Sequence, residues 1–477
     1  MRIPALLLWP ALAAAAGPSL EIQSVVDLAR SAPPEVAADA LIRVAALDQL
    51  SKPRRVELLE QAFGLAPFAP QPYKRRTGLA RSIGPSGFLN RAYEQDLDTL
   101  SLQLRAVESL LPLAPRKARE HFMEIAPLRL PQLNCDDFLV YDVDRFYEVL
   151  GRVAGETFTA KEVRDEEPTK FLAGYITTVT SASQVAPVAR LIKVLPVKDS
   201  ELQSLITAFA GALARISSDD RSFLYGASAA GANIQTLAGL CRRLQISPVI
   251  VLEGYRQFLV NHLAGARCAD DAKNMWVGSA ASVASYFNEK LAIPPLQPID
   301  VSATAPDKTA GEAKGLAWCD DPECRATRDQ YLNLVFRENG QAHQTGEREK
   351  IEWQAKAREF LTAMAAWTQS TGLTAVEHFR EKIGLYNELL IIAPNGPTRE
   401  FVLQSMLEFL IQNRLPADNR MEWILTVNQL AGRVGFDPAG WGDTADALRR
   451  GNDSVIALSM ALEAIAPRPM SAVMPLL

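Results

Sequence analysis

Apolar residues return every three or four positions along almost the whole chain, and prolines cut this pattern into lengths of a few helical turns. After Ser200, Leu202, Leu205, Ile206, Phe209, Leu213 and Ile216 mark one face of an α-helix, with Ser200 and Gln203 placed as a capping box. Pro168 follows two glutamates, as suits a first helical turn, and Leu172, Tyr175, Ile176 and Val179 continue the stripe. Ser247 and Pro248 read as a cap and first helical residue, with a stop at Gly265. On that segment His262 shares a face with Val251, Tyr255, Phe258 and Leu259, which makes it a packed histidine rather than a ligand. A further helix carries Trp353, Phe360, Leu361, Met364 and Trp367. The expected fold is therefore all-α, built of stacked helical hairpins in the manner of an α-α superhelix.

The proline punctuation echoes itself. Leu41-Ile42-Arg43 with Pro53-Arg54-Arg55 matches Gln103-Leu104-Arg105 with Pro115-Arg116-Lys117 at an offset of 62 residues (105 minus 43). Leu110 to Pro115 is echoed by Leu389 to Pro394, each with an Arg-Glu pair a few residues on, as in hairpins that end one helix and begin the next at a proline. The tetratricopeptide pattern is not met in register between Phe379 and Leu410.

A run of Pro, Thr, Ala and Lys from Ile293 onward breaks the pattern. It divides the chain into an N-terminal helical region (17–292), a Pro-rich connector holding Cys319 and Cys324 (293–347) and a C-terminal helical region (348–477). The 477 residues exceed what one core usually serves, and 48% hydrophobic with 22% charged residues is the balance of a folded protein.

Residues 1–16 have the form of a cleavable signal peptide. Arg2 precedes an apolar run from Ala5 to Leu12, and small residues surround a cut after Ala16. Export to a periplasm or the outside of a cell follows as an expectation, and the Ala-, Leu- and Arg-rich composition suits a bacterial source. No other stretch has the roughly 18 apolar residues of a spanning helix, so the mature chain should carry no transmembrane segment. Lys and Arg number 50 against 55 Asp and Glu and are scattered, which speaks against nucleic acid and against a polybasic membrane patch.

In an oxidising compartment the five cysteines, Cys135, Cys241, Cys268, Cys319 and Cys324, allow at most two bridges and one free thiol. The expected link runs from Cys268 to Cys319 or Cys324, across the connector. Acids closely follow Cys135, Cys268 and Cys319; their spacing fits no zinc pattern, and Asp at such places caps helices.

The common catalytic constellations are missing from the sequence. The four histidines form no HExxH, there is no phosphate-cradling glycine motif, and Asp142-Val143-Asp144 lacks the rest of a calcium loop. Tyr225 to Gly231 is close to a nucleophile elbow, but Ala230 replaces the second glycine. No catalytic residue, cofactor or metal is assigned from the sequence, and enzyme activity stays open. Trp441, within the glycine-rich 435–442 segment, is the one candidate for an exposed contact. The leading expectation is an exported helical scaffold that binds a protein or peptide along a concave face. Its rivals are a secreted hydrolase or lyase acting on polysaccharide through two carboxylates, and a small-molecule carrier with a closed apolar pocket.

Overall fold

The computed structural model describes residues 22–77, 85–133, 137, 139–195, 198–216, 222–265, 276–300, 319, 321–436 and 453–467. The signal segment 1–16, Cys135, Cys268 and Trp441 lie outside the described residues. The described chain is all-α apart from one short antiparallel pair, β1 (Arg75–Thr77) and β2 (Leu139–Tyr141), in which Arg75 faces Tyr141.

The first half begins with α1 (Ile22–Ala29), α2 (Pro34–Ala45), α3 (Lys52–Leu65), α4 (Pro85–Tyr93), α5 (Thr99–Leu110) and α6 (Pro115–Glu124). It continues with α7 (Asp144–Glu156), α8 (Ala160–Arg164), α9 (Glu167–Ile176), α10 (Val185–Val194), α11 (Asp199–Leu213), α12 (Ser222–Arg243), α13 (Val249–Ala264) and α14 (Trp276–Tyr286). From α7 onward, helices pack on others two or three places along the chain. One row runs α7, α9, α11, α13 and a second α7, α10, α12, α14, so two layers share one apolar seam. Where α13 crosses α11, a Cβ on Gly254 would stand 3.0 Å from the Cα of Ala210, so this approach needs glycine. The helices of this half range from 5 to 22 residues, and no fixed repeating unit emerges among them.

Several expectations meet their physical reasons here. Pro168 lies in the first turn of α9, and Leu172, Ile176 and Val179 are buried. His262 is buried between Phe223 and Phe258, with Nδ1 2.8 Å from the Phe258 carbonyl oxygen. Two helix starts shift by a residue: α11 begins at Asp199, which places Ser200 inside it without a capping box, and Pro248 is itself the cap of α13. Tyr225 to Gly231 runs inside the continuous helix α12, which has no elbow.

The 62-residue echo has a structural meaning. Arg43 on α2 and Arg105 on α5 both reach the buried carboxylate of Asp39, at 3.8 and 2.6 Å. Arg43 also donates to Glu463 at 2.9 Å. Arg55, after the echoed proline, donates to the Ala45 carbonyl that ends α2.

The expected connector is not loop throughout: it contains α15 (Pro322–Val335) and α16 (Thr345–Arg348). Asp321 caps α15 by accepting from the N–H groups of Glu323 and Cys324, the role expected for an acid after a cysteine. Its neighbour Cys319 is bonded to Cys324, with Cα atoms 5.2 Å apart. Each sulfur forms one such bond, so the bridge joins these two cysteines to each other and not to Cys268. Cys241 is a buried free thiol.

The chain then forms α17 (Ile351–Ala366), α18 (Ala375–Ile392), α19 (Pro397–Gln412), α20 (Arg420–Phe436) and α21 (Ser454–Ile465). α17 packs on α15 and α19, and α18 on α19. The last helices return to the first: α21 packs on α1 and α2, and α20 on α4. Arg420 grips Glu35 through two bonds of 2.6 and 2.8 Å across this seam. Both ends of the described chain therefore lie against each other, and the cores of the two regions are continuous.

Candidate functional site

α18 is apolar enough to be buried at Phe379, Ile383, Leu385 and Leu389, yet the turn from His378 to Lys382 also buries four ionisable side chains. His378 is 6%, Arg380 7%, Glu381 1% and Lys382 3% exposed. Charged groups are almost never this buried without partners, because the interior cannot replace their hydration. Thr374 fixes where the turn sits: its hydroxyl accepts from the Glu377 N–H while Glu377 accepts from the Thr374 N–H, a complete capping box.

The four groups then meet different fates. Arg380 donates twice to Glu422 on α20, at 2.6 and 2.7 Å, a bidentate pair that answers both charges. Glu381 has Arg328 at 3.7 Å as its one ion-pair partner among the described residues, and neither of its oxygens is hydrogen-bonded. Burial pushes its carboxyl up to about 7, against the pull of Arg328. Among the described residues, Lys382 has no carboxylate partner; its ammonium lies 5.1 Å from the centre of the Phe409 ring and 5.7 Å from Trp367. Burial brings this amine down to about 8. His378 is brought down to about 4 by burial and then by Lys382, so its imidazole is neutral at ordinary pH, and its Nδ1 has no hydrogen bond.

Lys382 and His378 line a partly open cleft of about 450 Å³ between α17, α18 and α19. Trp367, Phe379, Tyr386 and Phe409 supply its buried aromatic floor. Thr368, Gln369, Glu408, Gln412 and Arg414 form an exposed rim, with Arg414 paired to Asp453 and Glu408 accepting from Gln404. Such a cleft offers a cation and aromatic surface to a ligand that brings a negative charge and an apolar body. Its size falls in the range of about 300–1,000 Å³ usual for ligand pockets.

A second cleft, of about 360 Å³, lies by α5 and α7. It is lined by Lys74, Asp96, Glu108, Asp142, Asp144, Arg145 and Glu148, a gathering of acids such as the polysaccharide-enzyme reading requires. These acids are largely spoken for. Asp96 pairs with Lys74 at 2.6 Å and Arg145 at 3.2 Å, Glu108 with Arg145 and Arg152, and Asp144 with Arg190. The Asp142 carboxylate accepts from the Asp144 N–H, which makes that pair a local turn.

Of the residues singled out in the sequence, Trp367 lies in the first cleft, and Cys319 and Cys324 lie behind it beside Glu381. Trp353 is core, its indole N–H donating to the Leu334 carbonyl. Lys382 and His378 drew no notice in the sequence, since nothing local separates a lysine on a buried face from one on a wet face. The whole-chain comparisons add no relative: no family model, no curated protein and no solved structure matches the chain.

Proposed function

We propose that this protein is an exported helical scaffold that binds a protein or peptide partner, and that the cleft around Lys382 seats a carboxylate-bearing end or side chain of that partner. The observation that carries this reading is the Lys382 side chain, buried on an aromatic cleft without an ion-paired carboxylate among the described residues, while the rim carboxylate of Glu408 accepts from Gln404. An incoming carboxylate supplies the missing charge, and the Trp367, Phe379 and Phe409 rings supply apolar contact for the residue attached to it. The cleft is partly open, which suits one end of a longer chain; a carrier would enclose its cargo. Export is supported by the Cys319–Cys324 bridge, and among the described residues no helix is long and apolar enough to cross a membrane.

The test places a photocrosslinking amino acid at Gln412 on the cleft's exposed rim and presents paired peptides with free and amidated C-termini. Crosslinking that favours the free carboxylate and is lost in Lys382→Met is the expected result. Equal capture of both peptide forms, or capture indifferent to Lys382→Met, would sink the proposal.

A further inference from the structure

Lys382 faces the cleft, but the residue before it belongs to another cluster. The sulfurs of Cys319 and Cys324 and a carboxylate oxygen of Glu381 all lie within 4.8 Å of one another. Glu381 is as deeply buried as Cys324, without a hydrogen bond to either oxygen. A disulfide has no proton to donate to it, and Arg328, at 3.7 Å from Glu381, also stands 3.5 Å from Glu388. Buried polar atoms are nearly always bonded, so a carboxylate left aimed at two sulfurs calls for a partner that the oxidised cluster lacks.

The geometry points to a redox-gated site for a thiophilic divalent cation of the zinc type. With the bridge formed, the site is closed. A dithiol reductant opens it: one of its thiolates attacks a sulfur of the bridge, and its second thiol completes the exchange. The Cys319–Cys324 bond breaks, the reductant leaves as its own disulfide, and its two electrons and two protons end on Cys319 and Cys324. The cation then displaces those two protons, and the Glu381 carboxylate becomes the third ligand. Two thiolates and a carboxylate suit zinc, and three protein ligands leave a fourth position for water.

Local structure favours each step. Cys324 sits in the first turn of α15, which Asp321 holds in place by accepting from the Glu323 and Cys324 N–H groups. Arg328 retains Glu388 when Glu381 turns to the cation. Asp321 is fixed in turn by the 368–374 loop, where a Cβ on Gly372 would come within 2.5 Å of its carboxylate.

The experiment uses the full chain with Cys135, Cys241 and Cys268 replaced by Ser, reduced with a dithiol, desalted without oxygen and titrated with cobalt(II). One cobalt per reduced chain is expected, with sulfur-to-cobalt charge-transfer absorption and tetrahedral visible bands, and none in the oxidised chain. Glu381→Gln should keep the sulfur absorption while weakening affinity by more than the ~10-fold that even an outer-shell partner contributes. Absence of cobalt binding in the reduced chain overturns the proposal, and so does unchanged affinity in Glu381→Gln. If the triple Ser variant does not fold, reduced wild type is compared with Cys319→Ser, which should lose one equivalent of tetrahedral cobalt; equal counts overturn the site.

Discussion

Two clefts in this protein gather charge, and they treat it in opposite ways. In the cleft by α5 and α7, Lys74, Arg145, Arg152 and Arg190 stand against Asp96, Glu108 and Asp144 within 2.5–3.3 Å. In the cleft between α17, α18 and α19, Lys382 is less exposed than Lys74 and lies against aromatic rings with no ion pair among the described residues. A paired network holds helices in place. An unmatched charge costs folding free energy, and folds tend to keep such costs where a ligand repays them. The contrast is what supports the proposal that the C-terminal cleft, rather than the N-terminal one, seats a partner.

The contrast can be tested by removing charges one at a time. The largest effect is expected at the buried bidentate pair behind the C-terminal cleft, where Glu422→Gln strands Arg380 and should cost about 3–5 kcal/mol in urea unfolding. A loss under 1 kcal/mol would show that Arg380 finds another partner.

Next comes Asp98, a buried acid of the N-terminal region without an ion pair among the described residues. It is fully buried; one oxygen accepts from the Ser101 N–H, the other has no hydrogen bond, and burial raises its carboxyl to about 6 from an ordinary 3.8. Between these values the folded state holds the proton that the unfolded state has released, so stability falls as pH rises through the window. The penalty is absent below about 4, complete above about 6, and on the order of 2–3 kcal/mol. Asp98→Asn keeps a capping oxygen and should remove this slope, so the variant gains on wild type as pH rises; a constant difference would contradict the burial account. Smaller again is Lys74→Met, which leaves Asp96 with Arg145 alone and should cost about 1–2 kcal/mol.

Much of the fold was legible because helical periodicity is local. The stripes on α9, α11, α13 and α17 and the proline starts sit in the sequence within a residue or two of their places in space. The Arg43 and Arg105 echo was visible as a pattern, but their meeting at Asp39 depends on how α2 and α5 pack. The pairing of Cys319 with Cys324 is not legible in the connector's composition. Helix α15 inside the connector brings Cys324 back to Cys319. The C-terminal cleft was almost invisible beforehand. His378, Arg380, Glu381 and Lys382 look in sequence like solvated charges on a helix, and only packing by α15 and α19, with Glu422 of α20 reaching Arg380, buries that turn.

The most direct test of the contrast is the stability of Lys382→Met against wild type, measured by urea unfolding with and without a peptide bearing a free C-terminal carboxylate. The account predicts that the variant is more stable alone, by on the order of 1 kcal/mol, since an apolar side chain of similar reach replaces an unmatched buried charge. It also predicts that the peptide stabilises wild type and leaves the variant unmoved. A variant that loses stability as Lys74→Met does, and still responds to the peptide like wild type, would show that Lys382 is one more structural charge and that the binding site lies elsewhere.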